Sequence, residues 1–442
     1  MSEKNVLVFG SGSVSRPCVQ YLLRKGHRVT VVDISESNVK KTLAGHPNGK
    51  AVIADAAAEA GNLIRELQPA VVVCILPKTL TIPVIRTCVD QSVSMVSASY
   101  APDEVVALDA EVKRRGITIL CEVGLDPGID HMSAVPMIRE VMAKGGTIEG
   151  FWSVCGALPD IASNTNPMGY KLSWAPASLI GASLRSAKIM VDGQVVDLPD
   201  GATYQNPFFH EIKDLGWFEV YANANSLPYL EAYGIPEARS IYRGTLRYPG
   251  WCDMITQMQK LRLFDTDERS FSGLTYASLM REVVGCGSAA TPAIECVAQF
   301  LKLEPYSFAV KKLEWLGFFD ETALPFERGS MFDVVSELYA KKLQFSQDEQ
   351  DLVVMQHRFD VSYPGAGRKT HVSTLVSRGD VSGDTAIART TGLPIGIAAH
   401  LIATGAVKSN GVIIPTTPDI YEPSLKELAN EGITFTEETI DR

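Results

Sequence analysis

Short apolar runs that alternate with helical stretches over the first 125 residues constrain the fold more than any other feature of this chain. The runs are continuously apolar, as in strands that are buried on both faces of a parallel sheet. They are Asn5–Gly10, Arg28–Asp33, Ala51–Ala54, Ala70–Leu76, Ser94–Val96 and Ile117–Cys121. Stretches with helical periodicity, such as Asp103–Arg115, lie between them. This alternation predicts a doubly wound α/β fold.

A glycine-rich turn, Gly10-Ser11-Gly12-Ser13-Val14-Ser15, joins the first run to the first predicted helix. In dinucleotide-binding folds the first glycine permits a tight turn, and the second lets the backbone approach a pyrophosphate at the helix N-terminus. Ser15 replaces the third glycine but is still small. Asp33 ends the second run about 20 residues later, where a ribose contact is expected. The alternative is an ordinary glycine turn, but this context predicts dinucleotide binding.

Three further positions refine this prediction. A carboxylate at Asp33 would accept hydrogen bonds from ribose hydroxyls and repel a 2′-phosphate, which favours NAD over NADP, although NADP stays open. Asp55 ends the third run and is predicted near the adenine, with a turn aspartate as the alternative. Ile75-Leu76-Pro77 ends the fourth run at the carboxyl edge of the sheet, where open α/β sheets bind ligands.

The spacing of the predicted strands changes after Gly124, which indicates a second kind of domain. Longer strands at irregular spacing and a hairpin around Asp192-Gly193 predict a mixed α+β domain. The predicted strands are Thr147–Gly156, Lys188–Leu198 as the hairpin, Ser240–Tyr248, and the antiparallel pair Asp351–Asp360 and Lys369–Arg378. The segment from Trp251 to Leu343 is mostly helical in pattern, and Thr385–Thr404 is an Ala- and Gly-rich helical segment.

Composition excludes several classes of function. The chain has 442 residues and a formal charge of −10, which argues against a nucleic-acid or acidic-membrane partner. We expect no membrane span and no signal peptide. The eight cysteines form no Cys-x-x-Cys pair, so the sequence predicts reduced thiols, no disulfide framework and a cytoplasmic location. The seven histidines show no ligand spacing, so no metal is expected.

Several separated segments together resemble the saccharopine reductase family, also called saccharopine dehydrogenase of the glutamate-forming type. The resemblance covers almost the whole chain, and the segments occur in the family's order. They are Ser99-Tyr100, Cys121-Glu122-Val123, Gly124-Leu125-Asp126-Pro127-Gly128-Ile129-Asp130-His131, Cys155-Gly156-Ala157-Leu158-Pro159, Asn166–Trp174, Arg243-Gly244-Thr245-Leu246-Arg247-Tyr248 and Gly392-Leu393-Pro394.

The resemblance implies three domains in a homodimer. A Rossmann domain comprises 1–125, with 386–442 packing back on it. A mixed α+β domain for substrate and dimer contacts comprises 126–262 and 346–385, and a small helical domain comprises 263–345. The implied reaction belongs to lysine metabolism and interconverts saccharopine, NAD(P)⁺ and water with L-glutamate, 2-aminoadipate 6-semialdehyde and NAD(P)H.

The resemblance also implies roles for individual residues. Asp126, Tyr100 and Cys155 are the implied catalytic residues, although each has a structural alternative as a turn aspartate, a core phenol or a small buried hydrophobe. The implied substrate contacts are Ser99, Tyr100, Asp126, Arg243, Thr245, Leu246 and Arg247. The implied cofactor contacts beyond those above are Ile34, Ser35, Ala56, Ser97, Ala98, Val123, Gly124, Leu125, Asp126 and Trp174.

The alternation of Arg243, Thr245 and Arg247 along one predicted strand places them on one face. Two guanidinium groups on one face suit a small polycarboxylate amino acid, whereas a surface strand with paired charges is the alternative. Lys171 is a weaker candidate for a carboxylate contact. His131 is at least as well explained by capping or packing as by catalysis.

Two departures from the family pattern leave the substrate open. The segment Asn223-Ala224-Asn225-Ser226 has Ala224 where the family has an arginine that pairs with a substrate carboxylate, and Lys78 stands where the family usually has tyrosine. One alternative is therefore a reductase of the same fold that acts on another carboxylated secondary amine, such as a carboxypolyamine. A second alternative is an NAD-binding regulator without catalysis.

Overall fold

The computed structural model describes residues 3–287 and 290–441, and the chain divides into two compact units. The first unit comprises Met1–Glu149, Glu231–Pro236 and Leu352–Arg442, and the second comprises Gly150–Leu230 and Glu237–Asp351. The helical segment predicted as a third domain, 263–345, lies inside the second unit. The three-domain boundaries stay a prediction.

The N-terminal part of the first unit alternates strands with helices, as the apolar runs predict. Its strands are β1 Asn5–Phe9, β2 Arg28–Asp33, β3 Gly49–Ile53, β4 Val71–Cys74, β5 Met95–Ser97 and β6 Thr118–Leu120. Its helices are α1 Ser15–Arg24, α2 Glu36–Leu43, α3 Ala56–Leu67, α4 Lys78–Asp90, α5 Asp103–Val106, α6 Asp109–Arg114 and α7 Ile129–Ala143. The stretch predicted as one helix at Asp103–Arg115 is two short helices.

The second unit combines strands with a helical segment. Its strands are β7 Thr147–Pro159, β8 Ala187–Val191, β9 Gln194–Leu198, β10 Phe208–Ile212, β11 Gly216–Ala222, β12 Ser240–Arg247, β13 Arg269–Ser270 and β14 Arg328–Gly329. The helices along 160–350 are α8 Pro176–Ala182, α9 Pro228–Ala232, α10 Trp251–Lys260, α11 Tyr276–Val283, α12 Ala293–Leu301, α13 Phe308–Leu316 and α14 Met331–Lys342, with 3₁₀ turns at Ile161–Ser163 and Ala202–Tyr204.

The C-terminal part returns to the first unit. Its elements are β15 Asp351–Tyr363, β16 Gly367–Arg378, α15 Ala386–Ala403, β17 Gly411–Ile413, α16 Pro418–Asn430 and β18 Phe435–Asp441. β15 and β16 form the predicted antiparallel pair, and β16 also pairs with β18.

The sheet of the first unit is parallel, with strand order β17-β6-β5-β4-β1-β2-β3. β1 lies between β2 and β4, so that Val8 faces Val31 on one side and Val73 on the other. Apolar side chains cover both faces of this sheet in two separate core clusters. The prediction of a Rossmann fold buried on both faces is therefore confirmed.

α15 packs directly on α1 because glycines face that helix. A Cβ atom on Gly392 would lie 2.3 Å from the Val14 carbonyl oxygen, so a larger residue does not fit there. The expectation that no stretch reaches membrane-spanning length is wrong for Ala386–Ala403, which by length and composition alone is long and apolar enough to cross a membrane. In the fold, however, 78% of that stretch is buried, as in the core helix of a globular unit.

The second unit contains the predicted mixed sheet. β12 pairs in parallel with β7 and antiparallel with β11 and β8. β8 and β9 form the predicted hairpin, and both turn residues have positive φ, +50° at Asp192 and +82° at Gly193, as a primed turn requires. The expectation of reduced cysteines without a disulfide is wrong at one place, since Cys286 and Cys296 are bonded. They lie ten residues apart, a spacing that no short cysteine motif marks.

Candidate active site

The glycine-rich turn lies between β1 and α1, against the end of β4. Gly10 has a φ of +100°, and a Cβ atom there would lie 2.4 Å from the Ile75 carbonyl oxygen. Both features restrict this position to glycine. At Gly12, by contrast, a Cβ atom would meet nothing within 4 Å. The turn is therefore tight at its first glycine and open at its second, which is the arrangement that lets a phosphate approach the backbone.

Asp33 lies beside this turn at the end of β2. One carboxylate oxygen accepts a hydrogen bond from the Ser11 amide at 2.7 Å, and the other accepts one from the Ser35 amide at 2.9 Å. The carboxylate thus holds the glycine-rich turn against the turn after β2. Each carboxylate oxygen has a second lone pair, so both can still accept a ribose hydroxyl. Ile34, next to it, is 77% exposed.

The start of α1 fits a dinucleotide phosphate. Its N-cap residue, Val14, offers no side-chain hydrogen bond to the first amides of the helix. The hydroxyl oxygens of Ser11 and Ser15 are buried without a hydrogen-bond partner among the described residues. Uncapped amides at a helix N-terminus bind anions well. Gly10–Val14 would therefore hold the pyrophosphate and Asp33 the ribose.

The other predicted cofactor contacts near β3 and β4 have visible structural roles. Asp55 caps α3, where its carboxylate accepts the Ala57 amide at 2.9 Å and the Ala58 amide at 3.1 Å. Ala56 is the first residue of that helix, and Lys78 is the first residue of α4. Ile75 and Leu76 follow β4 at the carboxyl edge of the sheet, as predicted. Contact of these residues with the cofactor stays a prediction.

The carboxyl ends of β5 and β6 bring two predicted site segments together. The Val123 amide donates to the Ser97 carbonyl at 3.1 Å, and the Glu122 amide donates to the Ser99 carbonyl at 3.0 Å. A Cβ atom on Gly124 would lie 3.1 Å from the Ala98 Cβ. The segments Ser97–Tyr100 and Val123–Asp126 are therefore neighbours at this edge.

The loop that contains Leu125 and Asp126 folds back tightly on itself. The Gly124 amide donates to the Pro127 carbonyl at 2.8 Å, and the Asp126–Pro127 peptide is cis. Gly128 has a φ of +145°, and a Cβ atom there would lie 2.1 Å from the Gly124 nitrogen. The loop therefore requires glycine at its end, and it carries Asp126 shortly after Val123 and Gly124, which neighbour Ser97 and Ala98.

A buried hydrogen-bonded group beside this loop was not predicted as part of the site. Glu122 Oε2 lies 3.0 Å from His131 Nε2, and His131 Nδ1 lies 2.7 Å from the Tyr233 hydroxyl. All three side chains are buried. His131 is buried and hydrogen-bonded at both ring nitrogens, which fits the packing alternative given for it. A glutamate directly after a buried strand was the available sequence signal.

The second unit contains the remaining predicted substrate residues on one strand, β12, beside Cys155 on β7. Thr245 on β12 pairs with Cys155 on β7, and Arg243 pairs with Ser153. Because alternate residues share a face, Cys155, Arg243 and Thr245 lie on the same side as Arg247. Leu246 points to the opposite face, where its Cβ would meet a Cβ on Gly156 at 2.8 Å. A substrate contact by Leu246 would therefore use its backbone.

Arg247 is buried in a box of aromatic rings. Its guanidinium lies 5.0 Å from the ring centroid of Tyr170, 5.7 Å from that of Trp251 and 6.0 Å from that of Tyr221. One terminal nitrogen donates to the Leu246 carbonyl at 2.8 Å, whereas Nε has no hydrogen-bond partner in the described part of the chain. A buried cation held by ring faces keeps donors available for a carboxylate.

The loop that carries Ala224 lies beside Arg243. The Asn223 amide donates to the Arg243 carbonyl at 2.8 Å, and the Arg243 amide donates to the Ser226 hydroxyl at 3.0 Å. The Arg243 guanidinium lies 4.4 Å from the ring centroid of Tyr229. The backbone of Arg243 is therefore bonded to both sides of Ala224, and its guanidinium is buried.

Two residues of the Asn166–Trp174 segment have partners within the second unit. Trp174 Nε1 donates to the Tyr170 hydroxyl at 2.7 Å, which supports the ring that stacks on Arg247. Lys171 is buried and forms an ion pair with Glu349, so its charge is balanced internally. The residues at 3–287 and 290–441 contain no group of three or more His, Cys, Asp or Glu side chains that could hold a metal ion.

Comparison with known proteins gives a consistent result over the whole chain. Residues 6–120 match the family described as "Saccharopine dehydrogenase NADP binding domain", and residues 124–433 match the one described as "Saccharopine dehydrogenase C-terminal domain". A Pyricularia oryzae protein named "Saccharopine dehydrogenase [NADP(+), L-glutamate-forming]" is 33% identical over 100% of both chains. The Bos taurus protein named "Alpha-aminoadipic semialdehyde synthase, mitochondrial" is 32% identical over 98% of this chain, which spans only 48% of that relative.

A solved structure matches at the level of the whole fold. Apo saccharopine dehydrogenase (L-Glu forming) from Saccharomyces cerevisiae superposes with a TM-score of 0.88 and 29% identity, covering 99% of this chain and 100% of that one. The resemblance inferred from separated motifs is thereby confirmed. The chain belongs to the saccharopine dehydrogenase family of oxidoreductases.

Proposed function

We propose that this chain oxidises saccharopine, with a nicotinamide dinucleotide and water, to L-glutamate and 2-aminoadipate 6-semialdehyde, and catalyses the reverse reaction. The observation that carries this proposal is the 33% identity, over the full length of both chains, to a relative that is named for this activity. The chain spans about half of the bovine relative, so any further activity of that longer protein is not part of the proposal.

The proposed chemistry assigns separate tasks to two groups of residues. The bound dinucleotide would accept a hydride from the carbon next to the secondary amine. The residues of this chain must orient that carbon and keep the amine unprotonated before the hydride leaves. Asp126 lies on the short loop that Gly124 and Pro127 close, and we propose that its carboxylate contacts the amine. Water then adds to the imine carbon, and collapse of the carbinolamine breaks the carbon–nitrogen bond.

Recognition of the substrate carboxylates falls to the arginines of β12 in this proposal. Arg243 and Arg247 lie on one sheet face with Thr245 and Cys155, and both guanidinium groups are buried. Arg247 retains an Nε donor without a partner in the described residues. Arg243 is bonded to the Asn223–Ser226 loop, so we propose that it supplies the positive charge that Ala224 cannot.

We propose that NAD is the preferred cofactor. Asp33 places a carboxylate beside the open turn where the ribose is expected, and a negative charge there disfavours a 2′-phosphate. The fungal relatives are named as NADP(+) enzymes, and the matched family is described as an NADP binding domain. Steady-state rates with NAD⁺ and NADP⁺ on the same preparation test this preference.

The substrate is tested by a comparison of amines. Purified protein with NAD⁺ is offered saccharopine or a carboxypolyamine, and both reduced nicotinamide and free glutamate are measured. Turnover of saccharopine with release of one glutamate per reduced cofactor supports the proposal. Preference for the carboxypolyamine would mean that Ala224 has redirected the site.

Two further statements stay proposals drawn from the sequence. We propose that the chain forms a homodimer, which analytical ultracentrifugation tests, and that it acts in the cytoplasm, which cell fractionation tests. A non-catalytic regulator is the remaining alternative. It would bind NAD tightly but release no glutamate from any amine.

A further inference from the structure

Glu122 occupies an unusual backbone position at the carboxyl edge of the first unit's parallel sheet, just after β6. Its φ is +59°, in the left-handed region that residues with side chains rarely adopt. Its side chain is also buried, and a buried carboxylate is unfavourable unless its charge is well compensated by hydrogen bonds. A residue that combines both features has a role that the surrounding structure maintains.

The hydrogen bonds of Glu122 link two site segments. Its amide donates to the Ser99 carbonyl at 3.0 Å, and its Oε1 accepts the Ala101 amide at 3.3 Å. Its Oε2 lies 3.0 Å from His131 Nε2, at the start of α7. The first two bonds fix both ends of the peptide that contains Tyr100, and the third fixes the helix that follows the Asp126 loop.

His131 continues this connection to a separate segment. Its Nδ1 lies 2.7 Å from the Tyr233 hydroxyl, and Tyr233 belongs to Glu231–Pro236. That segment packs in the first unit, although the residues before and after it in sequence belong to the second. The neighbouring Asp130 lies farther from Nδ1, at 3.7 Å, and its carboxylate accepts the Gly128 amide at 2.5 Å.

The directions of these hydrogen bonds follow from the groups involved. A carboxylate only accepts, so the Nε2 nitrogen of His131 carries the hydrogen that Glu122 receives. With a neutral ring, Nδ1 then accepts from the Tyr233 hydroxyl. The carboxylate therefore fixes the tautomer of His131, and the tautomer fixes which way the Tyr233 hydroxyl points.

We propose that Glu122, His131 and Tyr233 form a positioning relay for the substrate end of the site. The relay holds the segments that carry Ser99, Tyr100 and Asp126 at a fixed separation and ties them to Glu231–Pro236. None of the three relay residues needs to touch the reacting atoms, so they are positioning residues. The activity test of the relay rests on the proposed function, since it uses saccharopine.

Two substitutions of Glu122 distinguish a role in positioning the site residues from a role in folding alone. Glu122→Ala removes both side-chain bonds and is expected to lower kcat/KM for saccharopine by about 10- to 100-fold, as expected for small displacements of groups at a reacting centre. NADH affinity should fall by less than kcat/KM does, because Gly10–Val14 and Asp33, which we expect to hold the pyrophosphate and ribose, make no bond to Glu122. Glu122→Gln keeps an acceptor for the Ala101 amide and should recover most of the activity.

The matched substitutions Tyr233→Phe and Tyr21→Phe test the far end of the relay. Both remove one buried phenol hydroxyl within the first unit, since the Tyr21 hydroxyl donates to Glu427 at 2.9 Å. Tyr233→Phe should lower kcat for saccharopine by about tenfold, whereas Tyr21→Phe should leave kcat unchanged, because only Tyr233 connects to the loop of Asp126.

Two measurements that need no substrate test the relay independently of the proposed function. In ¹⁵N spectra of labelled protein, Glu122→Gln should move the hydrogen of His131 from Nε2 to Nδ1, because the new amide donates to Nε2. Hydrogen exchange at the Ala101 and Val123 amides should be about tenfold faster in Glu122→Ala than in the unmodified chain and unchanged in Tyr21→Phe.

These measurements distinguish failure of the relay from failure of the proposed function. Inactivity of the unmodified chain on saccharopine, with the exchange and tautomer changes present, would reject the proposed function and keep the relay. Saccharopine turnover by Glu122→Ala within about twofold of the unmodified chain, with unaltered exchange at Ala101, would overturn the relay.

Discussion

Replacement of Asp33 by alanine gives the sharpest test of the cofactor site. The carboxylate accepts the Ser11 amide at 2.7 Å and the Ser35 amide at 2.9 Å, so Asp33→Ala removes two charge-assisted hydrogen bonds at once. It also removes the negative charge beside the expected ribose position. The substitution should therefore change protein stability, the affinity for both cofactors, and the preference between them.

The magnitudes of these effects differ. Hydrogen bonds to a charged group contribute about 1.5–3 kcal/mol each, and Asp33 is only part-buried, so a loss of about 3 kcal/mol in the free energy of unfolding is expected. Loosening of the glycine-rich turn weakens the binding of NADH and NADPH equally. Loss of the hydrogen bond to the ribose weakens the binding of NADH alone by about 1.5–3 kcal/mol, and loss of the repulsion of the 2′-phosphate strengthens the binding of NADPH. The NADH-to-NADPH affinity ratio should fall by about 10- to 100-fold.

Fluorescence titration of each reduced cofactor measures this ratio, and thermal unfolding measures the stability. Asp419→Ala is the matched control, because Asp419 also accepts two backbone amides, from Lys408 at 2.8 Å and Ser409 at 3.3 Å. It should destabilise the protein without a change in the ratio. A ratio in Asp33→Ala that equals that of the unmodified chain would refute the role given to this carboxylate.

Three further expectations follow from the same geometry. Gly12→Ala should leave the unfolding temperature unchanged, because its Cβ meets nothing within 4 Å, yet weaken NADH binding, which titration measures. Arg247→Lys should raise KM for saccharopine by about tenfold with little change in NADH affinity, since an ammonium cannot reproduce a guanidinium that stacks on ring faces and keeps an Nε donor for a carboxylate. An unaltered KM would argue against a carboxylate contact. His27 Nε2 lies 2.8 Å from His400 Nδ1, and burial lowers the pKa of both histidines below the usual 6.5. The stability that the neutral histidines contribute is therefore complete above pH 6.5 and is lost as the pH falls below it. The loss is at most about 1.4 kcal/mol per pH unit for each histidine, and urea unfolding at several pH values measures it. His400→Gln should flatten this dependence of the free energy of unfolding on pH.

The features that the sequence predicted well are those set by local pattern. Continuous apolar runs predicted the strands of the parallel sheet, and positive φ at Asp192 and Gly193 accompanies the predicted Asp-Gly turn. The position of Asp33 beside the glycine-rich turn follows from strand order alone, because β1 and β2 are neighbours and end at the same edge.

The features that the sequence did not predict depend on partners far away along the chain. His131 and Tyr233 are separated by 102 residues, so no spacing connects them. The aromatic box around Arg247 draws its rings from β11, α10 and the loop before α8, and alternation along one strand could not reveal it. No local pattern indicated that Lys171 forms an ion pair, because its partner, Glu349, lies 178 residues away.

We propose above all that this chain splits saccharopine with a nicotinamide cofactor. The most direct test mixes purified protein with saccharopine and either NAD⁺ or NADP⁺ and follows the reduced nicotinamide together with glutamate. We expect turnover with faster rates for NAD⁺ and one glutamate for each reduced cofactor. Tight dinucleotide binding without glutamate release from saccharopine, with either cofactor, would contradict it.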